Sequence, residues 1–277
     1  DANLRKLVVE KTGNFVRGLK NNFSLSDQGL ILSSPDAGWL DSKISGISTR
    51  LPKGFSETKK YYLVEINAMW IKFLRELCIL EQTCMFEKRK YSDFLEYQKL
   101  LRDASASFKL VFLHDDILCN IVSEDWKRDT TVNSLGIVAL SFVSDLFSFD
   151  EIQKIFSAVN RLFVYRKKKL FGLILRDLPE RTYLNDVQYH GAVFWPRDLP
   201  YLIRVLLVLK RKDLVKEILG NVLEHQMNEG AIFYTQELFS LPESNPGDWT
   251  DEPVPVKNPA QYWSQFVEPF IWYISEK

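Results

Sequence analysis

The sequence predicts an all-α protein. Three observations carry this. Apolar residues recur at helical spacing in eight segments, no alternating strand ladder is found, and hydrophobic residues make up 46% of the 277, enough for a sizeable core. The first segment, 4–22, carries Leu4, Leu7, Val8, Phe15, Val16 and Leu19 and is weakly interrupted at Gly13. The second, 61–81, sets Leu63, Ile66, Met69, Trp70, Phe73, Leu74 and Leu77 on one stripe. The third, 91–111, opens with Ser92 and Asp93. The fourth covers 132–145. In the fifth, 150–165, Asp150 is the N-cap candidate ahead of Ile152, Ile155, Phe156, Val159, Leu162 and Phe163. The sixth, 198–210, is apolar nearly all round and is expected to be buried on most sides. The seventh, 212–228, carries Leu214, Val215, Ile218, Leu219, Val222 and Leu223. The eighth, 260–275, contains Pro269, where a kink is expected. Two long connections, 23–60 and 229–259, hold Trp39 and Trp249 and are expected to pack over a site.

Composition excludes several classes. Lys and Arg number 36, as do Asp and Glu, so the net charge of zero gives no global reason to bind nucleic acid or an anionic membrane. No apolar run reaches the roughly 18 residues a membrane span needs. Three cysteines, Cys78, Cys84 and Cys119, form no CxxC pair, which predicts a reducing compartment rather than a disulfide framework. The chain opens DANLRKLVVEK, with no apolar leader and no Met, from which a removed upstream segment is expected. Phosphate-binding glycine loops and a GxSxG elbow are absent, and His114, His190 and His225 do not have metal-ligand spacing. His114-Asp115-Asp116 reads as a solvated turn, and Lys167-Lys168-Lys169 as positive charge complementing a helix end. No metal and no cofactor are expected.

What remains is carboxylates set among aromatics. Asp41 follows Trp39 in Gly38-Trp39-Leu40-Asp41-Ser42, and Glu237 sits in Phe233-Tyr234-Thr235-Gln236-Glu237-Leu238-Phe239. Glu65 and Asn67 begin an otherwise apolar helix, where they also suit capping. Glycoside hydrolysis needs such a pair of carboxyl groups: one protonated to give a proton to the leaving oxygen, one ionised to activate water or attack carbon. Apolar neighbours raise the pKa of the first by disfavouring its charged form.

Three segments, taken in order, resemble the C-terminal glucosidase domain of glycogen debranching enzymes, the amylo-α-1,6-glucosidase family. The first is Gly38-Trp39-Leu40-Asp41-Ser42, then Thr49-Arg50, then Val64-Glu65-Ile66-Asn67-Ala68-Met69-Trp70, similar to the family's T-W-M-D-A, T-P-R and P-V-E-I-N-A-L-W run. The second is Tyr189-His190-Gly191-Ala192-Val193-Phe194-Trp195-Pro196, similar to Y-H-x-G-x-V-W-P-W but with Arg197 in place of the last Trp. The third, Asn258-Pro259-Ala260-Gln261-Tyr262-Trp263-Ser264, resembles P-x-Q-A-W-S. A weaker likeness covers Asp129 to Asn133, where Thr131-Val132 replaces the family's Arg-Pro.

The resemblance implies one helical domain over 1–277, an (α/α)6 toroid of the glucoamylase-like type that is incomplete, with about eight of the family's twelve helices. A missing N-terminal segment or a partner chain is expected to complete the ring, and homo-oligomers are compatible with this. By the same resemblance Asp41 is the general acid and Glu237 the base, with Glu229 and Glu243 as alternatives for the base. Trp39, Arg50, Glu65, Asn67, Trp70, His190, Trp195, Gln261 and Trp263 are the implied substrate-binding residues. The implied reaction is inverting hydrolysis of α-1,6-linked glucosyl stubs on glycogen or a branched α-glucan, in the cytoplasm. Inversion requires the carboxyl groups about 6.5–9.5 Å apart. Another (α/α)6 glucosidase, glucoamylase-like or trehalase-like, and a truncated half-toroid that only binds glucan or scaffolds a partner are the competing readings.

Overall fold

The computed structural model describes residues 2–22, 24–85, 91–179, 182–241 and 252–275. Among them are eight α-helices: α1 Ala2–Asn21, α2 Val64–Met85, α3 Tyr91–Phe112, α4 Leu135–Val143, α5 Phe149–Ala158, α6 Leu199–Val208, α7 Lys212–Asn228 and α8 Glu268–Ser275. The packing alternates. Helices α2, α4, α6 and α8 touch in succession, with α1 and α3 against α2, and α7 against α6 and α8. Apolar content dictates this division: α4 buries all but one of its residues, and α6 buries Leu199, Leu202, Ile203, Val205 and Leu206. Both are too apolar to tolerate an outer position.

Several boundaries differ from the periodicity reading. Tyr61–Leu63 is a strand, not a helical turn. It pairs antiparallel with Leu32–Ser33 on one side and Ile121–Ser123 on the other. Helix α5 is capped by Ser148 rather than Asp150: the Ser148 hydroxyl accepts from the Glu151 N–H while Glu151 accepts from the Ser148 N–H. It ends at Ala158, and Phe163–Arg166 and Lys169–Leu173 form a hairpin. Lys167 and Lys168 are its turn, with φ of 48° and 63°, the left-handed pair a two-residue hairpin needs, so their charge does not serve a helix end. Residues 260–275 are not one kinked helix. A 3-10 turn, Tyr262–Ser264, precedes α8, and Pro269 sits in its first turn, where a missing N–H costs nothing. Helix α1 runs unbroken through Gly13, where an added Cβ would lie 3.0 Å from the Tyr97 hydroxyl.

The described parts of both long connections pack. The strand Leu238–Ser240 pairs with Val254–Val256. Phe239 and Phe194 exchange backbone hydrogen bonds of 2.8 and 3.0 Å, stitching the second long connection to the 189–196 motif. Trp249, the alternative base Glu243 and part of that connection lie outside the described residues. Cys78 and Cys119 are free thiols. Among the described residues no helix is long and apolar enough to cross a membrane.

Candidate active site

The three parts of the first motif meet around one buried ion pair. Arg50 Nη1 donates to Glu65 Oε1 at 2.7 Å and Nη2 to Oε2 at 2.5 Å, with neither side chain exposed. Arg50 also reaches the carbonyls of Ala37 and Asn120, and the Trp39 N–H approaches Glu65 Oε1 at 3.5 Å. The pair therefore sits beneath the 37–42 loop and holds it. Gly38 is required there: its φ is +83°, and an added Cβ would lie 2.6 Å from Glu65 Oε1. Leu40, fully buried, pins the loop, and Asp41 emerges beyond it with its side chain 74% exposed.

The second motif lies across from this loop. His190 Nδ1 meets the Ser42 and Thr49 hydroxyls at 2.8 and 3.2 Å. Its Nε2 is buried without a hydrogen-bond partner and lies 4.0 Å from Asp41 Oδ1. Burial, reinforced by the nearby Arg197, Arg176 and Arg50, holds the imidazole at a pKa of about 3, so the ring is neutral. Tyr189, the preceding residue, donates from Oη to Glu237 Oε1 at 2.5 Å. Consecutive side chains thus address the two carboxylates. Trp195 supports both, 4.8 Å from the Tyr189 ring and 5.9 Å from the His190 ring, with its Nε1 on the Tyr189 carbonyl. Arg197 stacks 4.1 Å over Trp195 and donates to the Trp39 carbonyl at 3.0 Å, tying the first motif to the second.

The third motif closes the ring of donors around Glu237, which is 2% exposed. Asn258 Nδ2 donates to Oε2 at 2.6 Å and the Asn258 N–H at 3.4 Å, while Gln261 Nε2 reaches Oε1 at 3.5 Å. Among the described residues each hydrogen-bond partner of this carboxylate is a donor. Glu237, Tyr189, Asn258, Gln261 and the half-exposed Trp263 line a cleft of about 1080 Å³, with Ser42 and Lys43 from the Asp41 loop on its other wall.

The sequence candidates thus divide. Glu237, Gln261 and Trp263 line the cleft, whereas Asp41 and His190 stand beside it, behind Ser42 and Tyr189, the chain neighbours that do line it. Trp39 packs on Tyr201 and does not line the cleft. Four expected sugar ligands are corrected to support roles, because their surfaces are already used. Arg50 and Glu65 satisfy each other. Asn67 bonds both backbone groups of Ile31 and the Leu63 carbonyl. Trp70, 3% exposed, gives its Nε1 to the Gly29 carbonyl. Trp195 is likewise a floor beneath Tyr189 and His190 rather than a cleft wall. Glu229 is bound by Arg166 and His225 and does not line the cleft. Asn258 and Ser42 were missed as site residues, although both stand inside the motifs. The apolar enclosure expected around the acid is not formed by the described residues. Among them no group of three or more His, Cys, Asp or Glu is placed to hold a metal ion.

The family model described as amylo-alpha-1,6-glucosidase matches residues 4–266. No curated protein matches the sequence. Among solved structures, the GH63 mannosylglycerate hydrolase of Thermus thermophilus in complex with Tris is similar at 11% identity and a TM-score of 0.53, covering 79% of this chain and 47% of that one. The neutral trehalase Nth1 of Saccharomyces cerevisiae is similar at 11% identity and a TM-score of 0.55, covering 78% of this chain and 38% of that one. The chain therefore spans less than half the length of these structures. The likeness fixes the fold as that of the (α/α)6 toroid, which the alternation of α2, α4, α6 and α8 with outer helices expresses.

Proposed function

Because the chain belongs to the amylo-α-1,6-glucosidase family, we propose that it carries the acid–base pair of an inverting glycoside hydrolase acting on α-1,6-linked glucosyl stubs of glycogen or limit dextrin. The observation that carries this reading is that consecutive residues reach the two carboxylates, His190 lying 4.0 Å from Asp41 and Tyr189 donating to Glu237, with Ser42 beside Asp41 and Glu237 lining one cleft. Asp41 protonates the glycosidic oxygen as the bond to the anomeric carbon breaks. Glu237 takes a proton from water as that water attacks the opposite face of the ring. The neutral His190 ring stands 4.0 Å from the acid, and Trp263 offers a flat face at the mouth. Asp41 stands open on one side, so the reading includes a covering element, an upstream segment or a partner chain, that encloses the acid. A neutral polysaccharide in the cytoplasm is the partner implied.

The test is glucose release from isomaltosyl-branched limit dextrin, set against maltose and trehalose, with the anomer followed by NMR. β-Glucose is the expected first product. In the whole protein Asp41→Asn and Glu237→Gln are each expected to lower kcat by at least ~100-fold while glucan binding persists, the scale of a lost proton-transfer group. Wild-type turnover in either variant removes that residue from its role. A silent glucan-binding arc is the second reading, favoured by the exposure of Asp41. Binding without any glucose release by the whole protein selects it.

A further inference from the structure

We infer that Tyr189 and Asn258 are positioning residues that grip the Glu237 carboxylate from its two oxygens and leave it a single orientation toward the cleft. The inference rests on Glu237 being the base. Each oxygen has one short donor: Tyr189 Oη on Oε1 at 2.5 Å, Asn258 Nδ2 on Oε2 at 2.6 Å. Both donors are themselves anchored. The Asn258 carbonyl accepts from the Glu237 N–H at 3.0 Å, so backbone and side chain close on each other. The Tyr189 carbonyl is held by Trp195 Nε1 at 3.1 Å, and its ring abuts Trp195 edge-on. Lys257, immediately before Asn258, lies 5.5 Å from the Tyr189 ring centroid, with its ammonium on Asp186 at 2.5 Å. Two adjacent residues thus serve the two jaws: Lys257 steadies the phenol, Asn258 the carboxylate.

The chemistry suits a base. Burial, and then the Glu237 charge, push the Tyr189 phenol far above its ordinary range, so it remains a donor throughout the working pH of a glycosidase. Gln261 approaches Oε1 only at 3.5 Å from the cleft side. Water displaces that weak contact without breaking either jaw. A base already oriented needs no reorganisation when the water attacks.

The experiment compares Tyr189→Phe, Asn258→Ala and Glu237→Gln in the whole protein, reading kcat, KM and the pH profile of kcat/KM on limit dextrin. Tyr189→Phe and Asn258→Ala are expected to lower kcat by about 10- to 100-fold, the rate equivalent of one hydrogen bond to a charged group. KM stays near wild type, and the acid limb of the profile moves to higher pH, because a donor to the anion is gone. A packing defect alone leaves that limb where it was. If Glu237→Gln is inactive while both other variants keep wild-type kcat and pH profile, the clamp is overturned and the base assignment survives. If Glu237→Gln is active, the base assignment falls and the clamp with it. Asn258 is exposed, so its truncation leaves no core void, and it carries the test if Tyr189→Phe does not fold.

Discussion

The buried pair Arg50–Glu65 separates two uses of a family motif by magnitude. Removing one partner of a fully buried ion pair leaves the other charge without compensation, which costs about 3–5 kcal/mol. Glu65→Gln is therefore expected to lower stability by that amount in denaturant titration and to release the 37–42 loop, so that kcat falls. A sugar ligand would instead raise KM at unchanged stability, and that outcome would return Glu65 to the substrate. His190 allows a test by pH. Its folded pKa of about 3 lies below the ordinary 6.5. Between those values the unfolded chain binds a proton here and the folded chain does not, so stability declines as pH falls through this window and is unaffected above it. His190→Asn is expected to flatten the stability curve within the window; an unchanged slope would place the titration elsewhere. At this scale the sequence was informative through the setting of a residue rather than its type, since acidic residues number 36. Asp41 and Glu237 stood out as carboxylates beside aromatic rings. Asn67 and Trp70 misled because a motif reports that a residue is needed, not whether ligand or backbone needs it.

Elements deliver these residues through short backbone pairings that periodicity does not detect. All eight helices were legible, since their stripes extend over two turns or more. The strands were not, because most are two or three residues long, too short to show an alternation, and some pair with partners remote in sequence, as Leu63 does with Ile121. Yet these strands fix the site. Phe194 and Phe239, stacked 5.3 Å apart, join the segment of His190 to that of Glu237. Gly172 makes room for them: a Cβ there would lie 2.3 Å from the Phe194 ring. Gly172→Ala is accordingly expected to cost about 1–3 kcal/mol by overpacking and, by tilting Phe194, to lower kcat as well. Thermal melting beside limit-dextrin assays checks both; wild-type values in the two would show that the hairpin yields without disturbing the bridge.

For the whole molecule the governing quantity is charge. Equal numbers of acidic and basic residues, 36 each, leave no net field to draw a charged ligand. The cleft repeats this balance locally. Lys43 is neutralised by Asp36 at 2.8 Å and Lys257 by Asp186 at 2.5 Å, so neither ammonium at the mouth is uncommitted. A ligand with a carboxylate or phosphate gains an ammonium only by breaking one of these pairs, whereas a neutral glucan meets the half-exposed ring of Trp263, the exposed Ile44, Leu184 and Val187, and hydrogen-bonding groups. Binding of an uncharged polysaccharide displaces no ordered counterions, and attraction between exposed charges is screened within about 8 Å at physiological ionic strength. The affinity of the protein for branched glucan is therefore expected to stay constant as salt is raised from roughly 50 to 500 mM, a range that weakens screened charge contacts. Affinity electrophoresis on glycogen at graded ionic strength measures it. A steady loss of retention with salt would mean that Lys43 or Lys257 leaves its partner for the ligand, and would redirect the substrate from a neutral branch stub to a glycoside bearing an anionic group.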